Sequence, residues 1–149
     1  MKKSYKRIII ITFLIICTSI LVYLFLIPKE NFNSDKIADK YQAINIQNAL
    51  KKYTEESNDW DMEFAEVNGK TSVEQILLGL QTGIAQSGKK YGPYLDVPYY
   101  KSKPSASNYF PIWNKNKGGR HNGWKIVINK IQHVINVEPS ENGNVIMFE

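Results

Sequence analysis

The first apolar pattern of the chain is a run of twenty residues, Ile8–Ile27, that contains no charge. A basic segment over residues 1–7 precedes this run, and Pro28 follows it. At about 1.5 Å of rise per residue the run is roughly 30 Å long as a helix, which matches the hydrocarbon thickness of a bilayer. We therefore predict a basic flank over 1–7, a transmembrane helix over 8–27 and a separate domain over 28–149.

The basic flank also predicts the orientation of this helix. Its charges are Lys2, Lys3, Lys6 and Arg7. The positive-inside rule then places the amino terminus in the cytoplasm and residues 28–149 outside. A removable signal peptide is the alternative, but the residues after the run lack the small-x-small site at which such a peptide ends. We expect an uncleaved, single-pass anchor in the bacterial cytoplasmic membrane.

A second pattern follows between Ser34 and Thr54, where neither Gly nor Pro occurs. Two apolar stripes recur there at helical spacing on roughly opposite faces. The first stripe is Ile37, Tyr41 and Ile44, and the second is Ile46, Ala49, Leu50 and Tyr53. This pattern predicts a helix from Ser34 whose lower half contacts neighbours while its upper half packs on its own domain. A single irregularly amphipathic helix in one core explains the spacing equally well.

The remaining pattern predicts a second helix followed by strands. Thr71 and Glu74 fit a capping box at the start of the helix, and Gly88 fits a left-handed cap at its end. Alternation of apolar and polar positions predicts strands over 124–128, 133–137 and 145–149. A tight turn at Asn142 and Gly143 is expected to join the last two strands. The predicted fold class is α+β, with a long membrane-spanning and amphipathic amino-terminal helix, a second helix and a small antiparallel carboxyl-terminal sheet.

Charge changes this picture only locally. The net charge is +5, but four of the nineteen basic residues lie in the leading flank, which leaves fifteen against fourteen acidic residues. The domain over 28–149 is therefore nearly neutral. Cys17, the only cysteine, lies in the apolar run, so that domain has no disulfide.

One part of the domain is nevertheless strongly basic. No acidic residue occurs between Asp96 and Glu138. The basic residues of that interval are Lys101, Lys103, Lys115, Lys117, Arg120, Lys125 and Lys130. Tyr99, Tyr100, Tyr109, Trp113 and Trp124 are interleaved with them. Such a surface could contact DNA, an anionic wall polymer or an acidic protein, with rings available for stacking. The alternative is that the aromatic rings fill the core and the lysines are solvated.

Candidate catalytic and metal-binding residues are few. His121 and His133 are the only histidines, and we expect them in a solvated loop and on a sheet surface. No nucleophile-elbow, zinc-helix or phosphate-loop motif is present, so we predict no enzyme activity and no cofactor. Asp59, Asp61 and Glu63 alternate in a way that could supply calcium ligands. Three loop carboxylates are more often simply solvated, so we predict no metal site.

The order of these elements resembles the type IV pilins and the type II secretion pseudopilins. The resemblance rests on the apolar run, on the proline at 28, on the segment KIADKYQAINIQNALKKYTEESN and on TSVEQILLGL followed by GPYLDVPYY. It implies a membrane-anchored structural or assembly component whose partners are other pilin-like or secretion-system subunits. The alternative is an anchored extracytoplasmic binding module that uses the basic, aromatic surface.

The leader departs from the pattern of those families. Prepilins carry Gly at the cleavage point, then Phe, and Glu at the fifth mature position. Counting back from Pro28 places Lys6, Arg7 and Ile11 at the corresponding positions. The prepilin peptidase site is therefore absent, and we expect the chain to remain full-length.

Overall fold

The first element of the fold is a long amino-terminal helix. The structure, a computed structural model, describes residues 2–114 and 118–149, without the side chains of 2–11, 21 and 23–33. Helix α1 extends over Lys2–Ser57, so it passes through Ser34 without the predicted start there. Contacts divide the chain into two compact units, Met1–Asp35 and Lys36–Glu149. The second unit contains every element that follows α1.

The predicted transmembrane helix over 8–27 is contradicted, and so is the single-pass location in the cytoplasmic membrane. Among the side chains that the structure describes, no helix offers an apolar stretch long enough to cross a bilayer. The described part of the apolar run consists of residues 12–20 and Val22. That part is shorter than the roughly 20 residues that a bilayer requires, and the other side chains of the run lie outside the described residues.

The second unit combines the end of α1 with a short helix and three small sheets. After a 3₁₀ turn at Glu63–Ala65, its elements are β1 (Glu66–Val67), β2 (Lys70–Thr71), α2 (Val73–Thr82), β3 (Ile84–Gln86), β4 (Lys89–Tyr91), a 3₁₀ turn at Ala106–Tyr109, β5 (Gly123–Asn129), β6 (Val134–Ser140) and β7 (Val145–Phe148). β1 pairs with β2 and β3 with β4 as short antiparallel hairpins. The architecture is α+β.

The core of this unit lies where α1, α2 and the three-stranded sheet meet. Its fully buried side chains include Ile46, Leu50 and Tyr53 from α1, Ile76, Leu77 and Leu80 from α2, and Trp124, Ile126 and Ile128 from β5. The indole Nε1 of Trp124 donates a 2.7 Å hydrogen bond to the carbonyl of Tyr109, so the buried ring also has its polar atom satisfied. The second apolar stripe of α1 is therefore its core face.

Helix α2 is shorter than predicted. Its N-cap is Ser72 rather than Thr71, and the Ser72 side chain accepts a hydrogen bond from the Gln75 N–H. The helix ends at Gly83, where φ is +86°. Gly88 instead lies in the turn between β3 and β4, with φ of +77° after Ser87 at +50°. Two consecutive positive φ values suit a two-residue hairpin turn, so this glycine serves a hairpin and not a helix end.

The carboxyl-terminal sheet is mixed, and the prediction of an antiparallel sheet is wrong. The three strands have the order β6-β5-β7. β6 pairs antiparallel to β5, with Gly123 opposite Ser140, whereas β7 pairs parallel to β5, with Lys125 opposite Val145. β5 occupies the centre because all its inward-facing side chains are fully buried. The turn at 141–144 therefore does not close a hairpin but passes around the start of β5.

Gly123 makes this passage possible. A Cβ atom at Gly123 would lie 2.5 Å from the Oδ1 of Asn144 and 2.6 Å from the carbonyl carbon of Gly143. Asn144 Oδ1 also accepts a 2.9 Å hydrogen bond from the Trp124 N–H, which fixes the turn against the strand. The main chain at 143–144 thus crosses β5 at a distance that only glycine allows.

We predict that Gly123→Ala lowers the free energy of unfolding by about 3 kcal/mol, because the methyl group overlaps backbone that cannot move away. Gly88→Ala is the control, since a Cβ there meets no atom within 4 Å. Its only expected effect comes from placing alanine in a left-handed backbone conformation, which lowers the free energy of unfolding by about 1 kcal/mol. Urea unfolding followed by circular dichroism measures both. Equal losses for the two variants would show that the close crossing at Gly123 is not a constraint.

Candidate interaction surfaces

The first apolar stripe of α1 lies on the surface of the second unit. Ile37 is 52% exposed, Tyr41 66% and Ile44 51%. The opposite side of the same helix segment is buried, with Ala43 and Ile46 in the core. Spacings of four and three residues place the three exposed side chains next to one another along the helix. They form one continuous apolar surface, which we call the α1 stripe.

The exposed side of α1 becomes polar after the stripe. Asn45, Asn48 and Lys52 line a groove of about 340 Å³ whose other wall includes Tyr94 and Asp96. Lys52 Nζ lies 5.7 Å from the centre of the Tyr94 ring. The groove is open and mixed in charge, so the α1 stripe ends where this polar groove begins.

Asp39 connects α1 to the segment that precedes β5. Its carboxylate is fully buried and accepts hydrogen bonds from the Ile112 N–H at 2.6 Å and the Trp113 N–H at 3.1 Å. His121 Nδ1 lies 2.6 Å from the Oδ2 of Asp39. The His121 ring meets the Trp113 ring edge to face, with centroids 4.7 Å apart. One carboxylate thus holds both ends of the segment 112–121.

The histidines differ from expectation. His121 is only 8% exposed, so the prediction of a solvated loop position is wrong, because its ring nitrogen pairs with buried Asp39. His133 has φ of +53° in the turn before β6, and its ring stacks on Trp60 with centroids 4.6 Å apart. Each histidine therefore has its own packing partner.

The basic residues between Asp96 and Glu138 do not form one free surface. Lys125 pairs with Glu138 at 2.9 Å, and this hydrogen bond raises the pKa of Lys125. Lys130 pairs with Asp61. Lys103 and Arg120 are exposed, whereas Lys115 and Lys117 lie outside the described residues. Acidic partners from other parts of the chain therefore compensate part of this basic interval.

The aromatic residues of the interval divide between core and surface. Trp124 is fully buried and Tyr109 nearly so, which fits the core alternative. Tyr99 and Tyr100 are fully and mostly exposed, at 104% and 74%. Lys101 Nζ lies 5.3 Å from the centre of the Tyr100 ring. Two exposed rings beside a lysine thus remain available for a ligand.

In the acidic loop after α1, the carboxylates of Asp59 and Asp61 contact different partners. Asp59 Oδ2 lies 2.6 Å from the Tyr53 hydroxyl, and its Oδ1 accepts from the Glu63 N–H, while Asp61 pairs with Lys130. Burial, followed by the hydrogen bond to Asp59, raises the pKa of Tyr53 above its ordinary value of 10.0, so this hydroxyl stays protonated. In the described ranges, no group of three or more His, Cys, Asp or Glu side chains is placed to hold a metal ion.

Sequence reasoning missed Asp39 as an anchoring residue. Asp39 precedes Ala43, Ile46 and Leu50 at spacings of four, three and four, so it lies on the core face of α1. A carboxylate at a core position of a helix indicates a buried polar contact, because an unpaired charge there would be costly. That signal was present in the spacing, although the partners were not.

Comparison with protein-family models, characterised proteins and solved structures found no match to this chain. Functional proposals therefore depend on the surfaces described above.

We predict that Asp39→Ala lowers the free energy of unfolding by about 3 kcal/mol, because it leaves the half-buried N–H groups of Ile112 and Trp113 and the buried His121 ring without their acceptor. Asp61→Ala removes the same group from the exposed pair with Lys130 and should cost under about 1 kcal/mol. Thermal and urea unfolding of the two variants test the difference. A loss at Asp39 no larger than that at Asp61 would contradict the anchoring role.

Proposed function

We propose that this protein is a pilin-like structural or assembly subunit that associates with like subunits through α1. The observation that carries the proposal is the α1 stripe, which lies opposite the core face of the same helix. A helix with one apolar face in its own domain and another at the surface suits a subunit that packs against neighbouring helices.

The geometry of the stripe fits helix packing. Side chains at Ile37, Tyr41 and Ile44 follow the rows of three and four residues that interdigitate when two helices pack 8–10 Å apart. Full burial of a large apolar side chain contributes about 1.5–3 kcal/mol relative to exposure. Three half-exposed side chains therefore provide enough free energy for a specific contact, but only a moderate one.

Apolar exposure also occurs in the first unit. The side chains of Phe13, Leu14, Ile15, Ile16, Ile20 and Val22 are each more than half exposed. Four of these positions are consecutive, so they point to all sides of α1. A helix with apolar side chains on all sides is stable when all those sides are shielded from water, and a set of neighbouring helices supplies that shielding.

We predict that Ile37→Asp combined with Ile44→Asp weakens self-association of the full-length chain at least tenfold, because each change places a charge in the contact. Sedimentation velocity and chemical cross-linking measure the association. The melting temperature should change little, since both side chains are half exposed in the single chain.

Val67→Asp combined with Ile131→Asp is the matched control for this experiment. Both changes replace an exposed aliphatic side chain by the same charge, but the two residues lie outside α1, in β1 and in the turn before β6. Association that falls equally in the two double variants would argue against the stripe as the contact.

A second candidate function is favoured by the exposed rings of Tyr99 and Tyr100. With Lys101 and Lys103 they present stacking surfaces and positive charge, which suits a binding module for DNA or another anionic polymer. This module would act through the loop and would not need the α1 stripe.

For this candidate we predict DNA binding whose affinity falls with salt, because each phosphate contact releases counterions. Tyr100→Ala combined with Lys101→Ala should weaken binding at least tenfold, whereas Lys125→Ala, at a lysine already paired with Glu138, should not. Titration of a DNA duplex at two salt concentrations measures both effects. Binding that is absent or independent of salt would remove this candidate.

A further inference from the structure

Among the strands of the described residues, β7 has a neighbour on one side only. Glu149 N–H donates to the carbonyl of Ile128, and the Lys130 N–H donates to the carbonyl of Glu149. In a parallel pair, alternate residues bond to the neighbour, so Val145, Met147 and Glu149 face β5. The N–H and C=O groups of Ile146 and Phe148 therefore point away from β5. Within the described part of the chain, no residue pairs with them.

The opposite edge of the same sheet is protected. The outward N–H of Val137 in β6 donates to the Oε1 of Gln47 on α1 at 3.1 Å. Two residues further on, Pro139 has no N–H to offer, and Glu138 places a charge beside it. Proline and charge are devices that prevent pairing at an edge strand. Val145–Phe148 contains neither, and Met147 and Phe148 are 43% and 41% exposed.

We propose that a second copy of this chain pairs with the open edge of β7, as an antiparallel strand related by a twofold axis at Met147. In this register Ile146 of one copy lies opposite Phe148 of the other. Both outward N–H groups and both outward C=O groups of each strand are then used, which gives four hydrogen bonds across the axis.

The edge is self-complementary, and this favours a second copy over an unrelated peptide. A twofold contact requires that the same strand serve both partners. Val145–Phe148 carries no charge, so no like charges face each other across the axis. Ile146 and Phe148 share the inward face with Ile126 and Ile128, while Met147 shares the outer face with Val127. The second strand therefore extends each face with side chains of the same character.

The contact is small and differs in place from the α1 stripe. Four residues per strand form only a weak interface by themselves. If another contact already holds two subunits together, the high effective concentration of the strands favours their pairing. The inference extends the proposed self-association by naming a second contact, yet it depends on other residues. Either contact can therefore fail without the other.

Cysteine cross-linking at Met147 tests the pairing. At the twofold axis Met147 faces its own counterpart in a non-hydrogen-bonded pair, where Cα atoms lie about 4.5 Å apart, within the range that a disulfide spans. The experiment uses the full-length chain with Cys17→Ser, so that the introduced residue is the only cysteine. Under mild oxidation, Met147→Cys should form a disulfide-linked dimer.

Val145→Cys is the matched control because it lies on the same strand and the same face. In the proposed register it faces residue 149 of the other copy, so the two introduced cysteines are roughly 13 Å apart. This exceeds the reach of a disulfide. We expect at least tenfold more linked dimer for Met147→Cys than for Val145→Cys. Linkage that is equal at the two positions, or greater at Val145, would overturn the register.

Two further variants separate the possible outcomes. Met147→Lys places two like charges at the axis and should reduce dimer formation, measured by sedimentation, without lowering the melting temperature. Repeating the Met147→Cys cross-link with Ile37→Asp and Ile44→Asp shows whether the β7 contact persists when the stripe is disrupted. The inference is overturned if Met147→Cys forms no cross-link with or without the two Asp substitutions and Met147→Lys has no effect on dimer formation. This conclusion does not depend on whether the α1 stripe mediates association.

Discussion

The buried carboxylate of Asp39 is the interaction on which the arrangement of the second unit depends. It lies on the core face of α1 and satisfies the N–H groups of Ile112 and Trp113 together with the His121 ring. The segment that it holds leads directly into β5, the central strand of the sheet. The helix and the sheet are thus joined by a polar contact as well as by apolar packing. Because an uncompensated buried charge is costly, loss of any partner would affect the whole connection.

The position of β5 in turn decides which surfaces remain open. Since its inward side chains are fully buried, β6 and β7 must flank it, and the turn between them passes over Gly123. α1 then covers the edge of β6 through Gln47, while no described residue pairs with the outer edge of β7. The same helix buries one face in the core and presents the α1 stripe at the surface. Both of these surfaces are apolar, and our proposal of association between copies rests on them.

Charge is arranged differently in sequence and in space. The interval between Asp96 and Glu138 is basic in sequence, yet Lys125 and Lys130 pair with acidic residues from outside it. Among the described residues, the interval exposes Tyr99 and Tyr100 together with Lys101, Lys103 and Arg120. A run of like charges along a chain therefore predicts a basic surface only where the fold brings no acidic residue close.

The sequence by itself determined the elements whose signal is local. Helical spacing indicated the core face at Ile46, Ala49, Leu50 and Tyr53, and alternation indicated three carboxyl-terminal strands, because these patterns depend on neighbours along the chain. Strand order, the parallel pairing of β7 and the partners of Asp39 and His121 were decided only by the tertiary structure. Each of those features joins residues that are distant in sequence, where competition for the buried centre of the sheet, and not local preference, selects the outcome. For the same reason the open edge of β7 and the exposure of the α1 stripe became evident only once the rest of the chain had taken its place.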